Sequence, residues 1–253
     1  MNFKKSSMMK KVALITGSYK GIGYETARQL GKNGFIVILS ARKGKKAEEA
    51  ADKLKEEGVE AYSVKLDVTD EKEVDKTYKY IHDKFGQLDV LVNNAGIQLD
   101  NDSFSASNSV ETVSHKILTE TFESNFFGVV ALTQKLLPLI VKADQGRIVN
   151  VSSIMGSLAM HADKNSPIYG VKPFAYNSSK TALNQFTVHL AAALEKTKVK
   201  VNSAHPGWVK TDLGGENAPM TIEDGAKSIV DLCLIDENGP SGGYIHMGKQ
   251  LPW

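Results

Sequence analysis

Tyr176 and Lys180 stand four residues apart in the stretch "YNSSK", with only Asn177, Ser178 and Ser179 between them. On a helix that spacing puts phenol and ammonium on one face, one turn apart. Two readings suit such a pair. It is either a solvated surface pair or a proton donor whose acidity the neighbouring cation raises. An unperturbed tyrosine, with a pKa of about 10, is poorly placed to cycle protons at neutral pH, and a nearby positive charge stabilises its phenolate. So tuned, a tyrosine can protonate the alkoxide left when a hydride is delivered to a carbonyl carbon.

A second cluster, "TGSYKGIG", follows an apolar run and opens a segment of helical period. Gly17 permits a sharp turn, while Gly21 and Gly23 let backbone come close to a pyrophosphate at the positive end of a helix. An ordinary strand-to-helix turn would not need three glycines. About twenty residues further on, a dinucleotide fold places an acidic residue where the ribose of NAD binds. This chain has Ala41 and then Arg42 there, with Lys20 inside the glycine loop. Two cations so placed can neutralise a 2′-phosphate, which favours NADP(H). A solvated basic stretch is the competing reading, and it suits Lys45 and Lys46 better than Arg42.

The elements that must position these groups are legible as an alternation. "KVALIT", "FIVILS" and "AYSVKL" are short β-branched runs, followed by helical segments at 21–33, 44–57 and 70–85. In the third of these, Val74, Tyr78, Ile81 and Phe85 form an apolar stripe, and Asp70 with Glu73 marks the start. "LDVLVNNAG", "RIVNVSS", "VKVNSAHPG" and "GGYIHM" continue the strands, with helices predicted over 110–142, 176–196 and 222–235; "TIED" at 221–224 resembles a capping box. This order predicts an α/β fold, a doubly wound parallel sheet of about seven strands with helices on both faces. The loops 97–109 and 154–175 break the rhythm after strands, where ligand sites form.

The 253 residues suit one domain over 11–253, with 1–10 as a flexible extension. Thirty-one basic against twenty-nine acidic residues, a net +2, speak against nucleic acid or an anionic membrane as partner. No apolar run is long enough for a secretory signal or a span. The single Cys233, in the apolar run "SIVDLCLI", excludes an internal disulfide and fits a reducing, cytoplasmic setting. The six histidines show no metal-ligand spacing, so no metal is expected.

Taken in order, the glycine loop, "NNAG" at 93–96, "VSS" at 151–153, "YNSSK" and "PGWVKT" at 206–211 resemble the short-chain dehydrogenase/reductase family. These motifs extend from residue 12 to residue 211. The resemblance implies a Rossmann-type fold and assigns catalytic roles to Asn125, Ser153, Tyr176 and Lys180, with Ser152 as the alternative serine. It implies cofactor contacts from Gly17, Ser18, Lys20, Gly21, Ile22 and Gly23, and from Arg42, Asp67, Val68, Asn94, Ala95 and Gly96. Beyond these it adds Tyr176, Lys180, Pro206, Gly207, Val209 and Thr211.

"PGWVKTDLGG" and "YIHMGKQLPW" are similar to the carbonyl reductase branch, which implies a small ketone, aldehyde or quinone as substrate. A 3-oxoacyl-thioester reductase and a non-catalytic NADPH-binding regulator are the alternatives. The 23 positions from Ser153 to Tyr176 exceed the usual family spacing, and the resemblance to a branch whose longer insertion there obstructs the dimer interface implies a monomer in preference to a homodimer or homotetramer. An open apolar pocket lined by Ile154, Met155, Trp208 and part of 97–104 is expected.

Overall fold

The computed structural model describes residues 10–100 and 108–253. The proposed N-terminal extension therefore lies, but for residue 10, outside the described residues, as does 101–107 of the first ligand loop. Eight strands form one sheet in the order β3-β2-β1-β4-β5-β6-β7-β8. They are β1 (Val12–Ile15), β2 (Ile36–Ala41), β3 (Ala61–Lys65), β4 (Val90–Asn93), β5 (Arg147–Val151), β6 (Lys200–Ala204), β7 (Tyr244–His246) and β8 (Lys249–Gln250). All neighbours are parallel except β7 and β8. The eighth strand, two residues long, is an addition to the expected seven. It is too short to carry a periodic signal.

Strand side chains alternate between two cores because their period is two. Ala13, Ile15, Val37, Leu39, Val90, Val92 and Val149 face one layer; Leu14, Ile38, Leu91, Ile148 and Val201 face the other. The first layer is covered by α1 (Gly21–Lys32), α2 (Gly44–Glu56) and α8 (Ile222–Leu234), through Ala27, Leu30, Ala51, Leu54 and Ile229. The second is covered by α3 (Glu71–Phe85), α5 (Gly128–Val141) and α7 (Phe174–Ala193), through Val74, Ile81, Leu132, Leu136 and Ala191. Both faces are dry. Each fully buried leucine or isoleucine contributes roughly 1.5–3 kcal/mol of transfer free energy, and the register Ile38–Leu14–Leu91 aligns three such residues across β2, β1 and β4.

Local signals set several helix starts. Asp70 accepts from Lys72 N and Glu73 N, and Thr221 accepts from Asp224 N, each satisfying an orphan amide of its first turn. The long helix predicted over 110–142 begins instead at α4 (His115–Phe122), where Ser114 caps Ile117 N. A π turn (Glu123–Phe127) then joins α4 to α5. The stretch His115–Val141 is long and apolar enough by composition to cross a membrane, but Leu132, Leu136, Leu139 and Ile140 are buried under the sheet. Part of the 154–175 loop is ordered as a 3₁₀ turn (Ile154–Gly156) and the short α6 (Leu158–Ala162).

Strand order reverses between β1 and β4, whose carboxyl ends diverge. That is where open α/β sheets leave a crevice for ligands.

Candidate active site

The crevice is a cleft of about 1010 Å³ that runs from Arg42 and Asp67 at one end to Ser152, Tyr176 and Lys180 at the other. Gly17 and Gly21 have φ of +61° each, a left-handed conformation that glycine adopts without strain. A Cβ on Gly23 would lie 2.5 Å from Asn94 Nδ2 and 2.9 Å from Gly17 O, so β1, α1 and β4 meet there without room for a side chain. Lys20, the residue before α1, gives the helix no side-chain cap. An uncapped helix N-terminus facing a cleft, with glycines in its first turn, fits a pyrophosphate. Gly17, Gly21, Ile22 and Gly23 all line it, with Val68, Ala95 and Gly96 opposite.

Thr16 holds this arrangement together. Its Oγ1 accepts from Asn94 N and Ala95 N, both at 2.9 Å, and Asn94 Nδ2 donates to Thr16 O at 2.8 Å and Gly17 O at 3.1 Å. The Asn94 amide is thus engaged with the glycine loop itself. Ser18 differs from its expected place: it is fully buried, its hydroxyl donating to Ile15 O and accepting from Ser40 N. It pegs the loop to β2 and does not reach the cleft.

At the far end of β2, Arg42 is exposed, lines the cleft and follows a small Ala41 with no acid beside it. That pattern fits a 2′-phosphate and not a bare ribose. Lys20 forms an ion pair with Asp212 across the cleft mouth. Asp67 accepts from Thr69 N and Thr69 Oγ1 and keeps its place on the lining.

At the chemical end, Tyr176 lies in the first turn of α7, which starts two residues earlier than its sequence pattern suggests, just after Pro173. Its phenol lies beside the Ser153 side chain at the exit of β5, which favours the phenolate. Lys180 Nζ is 5.6 Å from the Tyr176 ring centroid and donates to Val151 O at 2.9 Å. Ser152 also lines the cleft, with its hydroxyl buried and unpartnered, while Ser153 is the serine beside Tyr176.

Asn125 sits in the π turn, a helix irregularity frequent at functional sites. Its Oδ1 accepts from Ile97 N at 2.8 Å, and its Nδ2 donates to Ile97 O and Ser179 Oγ at 2.8 and 3.0 Å. A Cβ on Gly96 would stand 3.3 Å from Asn125 Oδ1 and 3.5 Å from Lys180 Nζ. Both groups therefore share one wall.

Electrostatics differ from the sequence expectation in one respect. Burial dominates, and it pushes Tyr176 up to about 12, partly offset by the Ser153 side chain and reinforced by the Asp100 carboxylate. Burial likewise pushes Lys180 down to about 8. Both charged forms lose hydration, and that loss is the largest influence on each group.

Ile154, Met155 and Trp208, expected to line an apolar pocket, lie off the main cleft. Ile154 and Met155 fold into the 3₁₀ turn, with Ile154 N on His205 Nδ1 and Met155 N on Ser153 Oγ, and neither lines the cleft. Trp208 is 57% exposed, and its indole N–H is spent on Gly214 O at 2.7 Å. Leu213, Ile222 and Ile97 supply apolar lining instead. Pro206 and Thr211 reach the cleft, while the buried Val209 packs on Gly225, and Gly207 makes the turn at φ +91°. Residues 101–104, expected in this pocket, lie outside the described residues.

Thr16 and Tyr19 stand inside the glycine cluster and Leu213 inside "PGWVKTDLGG" without being singled out from the sequence; the fold makes Thr16 the brace of the loop and sets Tyr19, Ser124 and Leu213 on the cleft. Among the described residues no group of three or more His, Cys, Asp or Glu side chains could hold a metal ion.

A glycine loop on an uncapped helix at the β1/β4 switch point, sharing one cleft with a Ser–Tyr–Lys group, defines a dinucleotide-dependent oxidoreductase. The short chain dehydrogenase model matches residues 11–221, and the chain belongs to that family, whose members act on carbonyl and CH–OH groups. It is 31% identical to mouse carbonyl reductase [NADPH] 1, over 98% of this chain and 100% of that one. It is 32% identical to salutaridine reductase of Papaver bracteatum, over 92% and 93% of the two chains. The structure of NADPH-bound carbonyl reductase from chicken fatty liver superposes with a TM-score of 0.82 at 26% identity, covering 96% of this chain and 94% of that one. Within the family the chain is carbonyl reductase-like.

Proposed function

We propose that this protein reduces a ketone, aldehyde or quinone carbonyl to the alcohol with NADPH, with Tyr176 as the proton donor. The observation that carries this reading is the Tyr176 phenol beside the Ser153 side chain, with Lys180 one turn along α7, and with Tyr176 and Lys180 lining the same cleft as the glycine loop. NADP(H) is the cofactor, held by Gly17 to Gly23 at its pyrophosphate, by Arg42 at its 2′-phosphate and by Lys180 and Thr211 towards the nicotinamide. When bound it supplies the hydride.

The side chains do the rest. Ser153 Oγ and Tyr176 Oη are placed to share one substrate oxygen, so charge developing on it meets two donors already oriented. A phenol near 12 stays protonated at neutral pH, which is the form a donor must have. Once the proton has moved from Tyr176 Oη to the alkoxide, the phenolate is a buried anion beside the Lys180 ammonium, and the Coulomb attraction is then largest. Lys180, brought to about 8, returns a proton more readily than an unperturbed lysine. Asn125 joins the wall behind Lys180 and supports a proton relay there. The single buried Cys233 suits a reducing, cytoplasmic compartment.

The test is loss of nicotinamide absorbance with NADPH and with NADH over aromatic ketones, aldehydes, quinones and an acetoacetyl thioester. Turnover with NADPH is expected on the free carbonyl compounds, and Tyr176→Phe is expected to lower kcat by roughly 10²–10⁴-fold with NADPH binding retained. Unchanged kcat in Tyr176→Phe would remove Tyr176 from the mechanism. Tight NADPH binding without turnover on any compound would point to a regulator.

A further inference from the structure

Tyr244 of β7 is fully buried, and nothing in its sequence context, "GGYIHM", marks it. Its hydroxyl donates to the backbone carbonyl of Ser153. That carbonyl also closes the 3₁₀ turn, accepting from Gly156 N at 2.8 Å. The Ser153 side chain in turn caps Met155 N within the same turn. Fixing the Ser153 carbonyl steadies the turn on which its Oγ is held by Met155 N, and that side chain lies beside the Tyr176 phenol.

The Tyr244 ring is itself held. It stacks on Trp253, with centroids 5.3 Å apart and planes at 19°. The residues around Trp253 grip the segment that follows Ser153. Ser157 Oγ donates to Pro252 O, and Ala159 N donates to Trp253 O, both at 2.8 Å. Leu251 N closes the loop on Tyr244 O at 2.7 Å. Segments 153–159 and 244–253 are thus laced together, with the tyrosine hydroxyl as the contact nearest the chemistry.

We propose that Tyr244 is a positioning residue for Ser153, holding the turn that aims the serine hydroxyl at Tyr176 and the substrate oxygen. The inference rests on the reading of Ser153 and Tyr176 as the groups that hold the substrate oxygen. Tyr244 touches neither substrate nor cofactor and acts through Ser153. The other ionisable groups around the Ser153 turn are His161 of α6, whose Nε2 meets Met155 O at 3.0 Å, Tyr176 and Lys180 on α7, His205 after β6 and His246 of β7. None of them donates to the Ser153 carbonyl.

Tyr244→Phe removes only the hydroxyl and leaves the Trp253 stack, and its effect is read with and without Ser153→Ala. Expected is a fall in kcat of about tenfold in the otherwise native protein, the scale of one lost oriented hydrogen bond, with NADPH affinity by fluorescence titration unchanged. On the Ser153→Ala background the same substitution is expected to cost nothing further. An equal loss on both backgrounds, or none on either, overturns the proposal, because a purely structural role adds to the serine loss.

Hydrogen–deuterium exchange over 153–157 gives a readout independent of turnover. Faster exchange in Tyr244→Phe is expected, and an unchanged rate overturns the positioning role. Should the native protein turn over no carbonyl compound, the functional reading has failed and exchange alone decides the role of Tyr244. If Tyr244→Phe does not fold, Trp253→Ala takes its place, with a smaller loss expected on the native background and none on Ser153→Ala.

Discussion

At the glycine-loop end of the cleft, the groups presented to the ligand are backbone amides and exposed cations, and they come from residues close together in the chain. At the Tyr176 end they are side chains withdrawn from water, gathered from the exit of β5, the π turn and α7. The first end is shaped by the absence of side chains: Gly17 and Gly21 at positive φ, and Gly23 against Asn94. The second is shaped by burial, which moves Tyr176 up and Lys180 down from their ordinary values. Binding therefore depends there on steric clearance and charge, whereas chemistry depends on how polar groups are satisfied away from water.

Gly23→Ala makes the sharpest case on the steric side. The added methyl would meet the Asn94 side-chain amide at 2.5 Å, and moving that amide would not relieve it, since backbone Gly17 O and Ser18 Cα stand at 2.9 and 3.0 Å. NADPH Kd is expected to rise by roughly 10²-fold, the effect of about 3 kcal/mol of overpacking, with the far-UV spectrum unchanged. An unaltered Kd would show that the glycine loop is not held as tightly as the contacts imply.

Arg42→Ala tests charge at the same end. The ratio of NADPH to NADH affinity is expected to fall by about 10–30-fold, the scale of one or two charge-assisted hydrogen bonds, with NADH affinity unchanged. A ratio that stays put would locate 2′-phosphate recognition elsewhere.

His205 joins the two ends. Its Nδ1 accepts from Ile154 N at 3.2 Å and Gly207 N at 3.4 Å, so the neutral ring ties the Ser153 turn to the cofactor loop. Burial, with His246 alongside, brings its pKa down to about 3. The unfolded chain takes up a proton near 6.5 that the folded one refuses. Stability from this group is therefore complete above about 6.5 and is lost as pH falls towards 3. His205→Gln is expected to flatten the fall of Tm between pH 6.5 and 4 relative to the native protein. An identical slope in both proteins would mean that the ring is not held neutral.

The smallest effect belongs to the Lys20–Asp212 pair, which spans the cleft mouth in full solvent. Asp212→Asn is expected to tighten NADPH binding by about twofold at low salt, by freeing Lys20, and to leave Tm unchanged, since exposed pairs contribute little. Weaker binding would mean that the pair closes over the cofactor and does not compete with it.

These contrasts follow how each end is written in the chain. The glycine loop was legible because its requirement is local: a strand, three glycines and a helix within a dozen residues. The Asp70 and Thr221 caps were legible for the same reason. The spacing of Tyr176 and Lys180 set them on one face before any fold was known. Ser18 was misplaced because its burial comes from a bond to β2, more than twenty residues away. The sequence did not place Trp208, Ile154 and Met155 relative to the cleft, because apolar character does not say which side of a turn faces it.

The sequence by itself determined the alternation of strands and helices, the two-sided core and the local geometry of the phosphate turn, since periodicity and glycine act over a few residues. Tertiary structure alone decided that Asn125 sits in a π turn clipped to Ile97, that burial is the largest influence on the resting state of Tyr176, and that Tyr244 reaches the Ser153 carbonyl. Each of those depends on desolvation and on contacts between segments tens of residues apart, quantities that exist only once the sheet has closed.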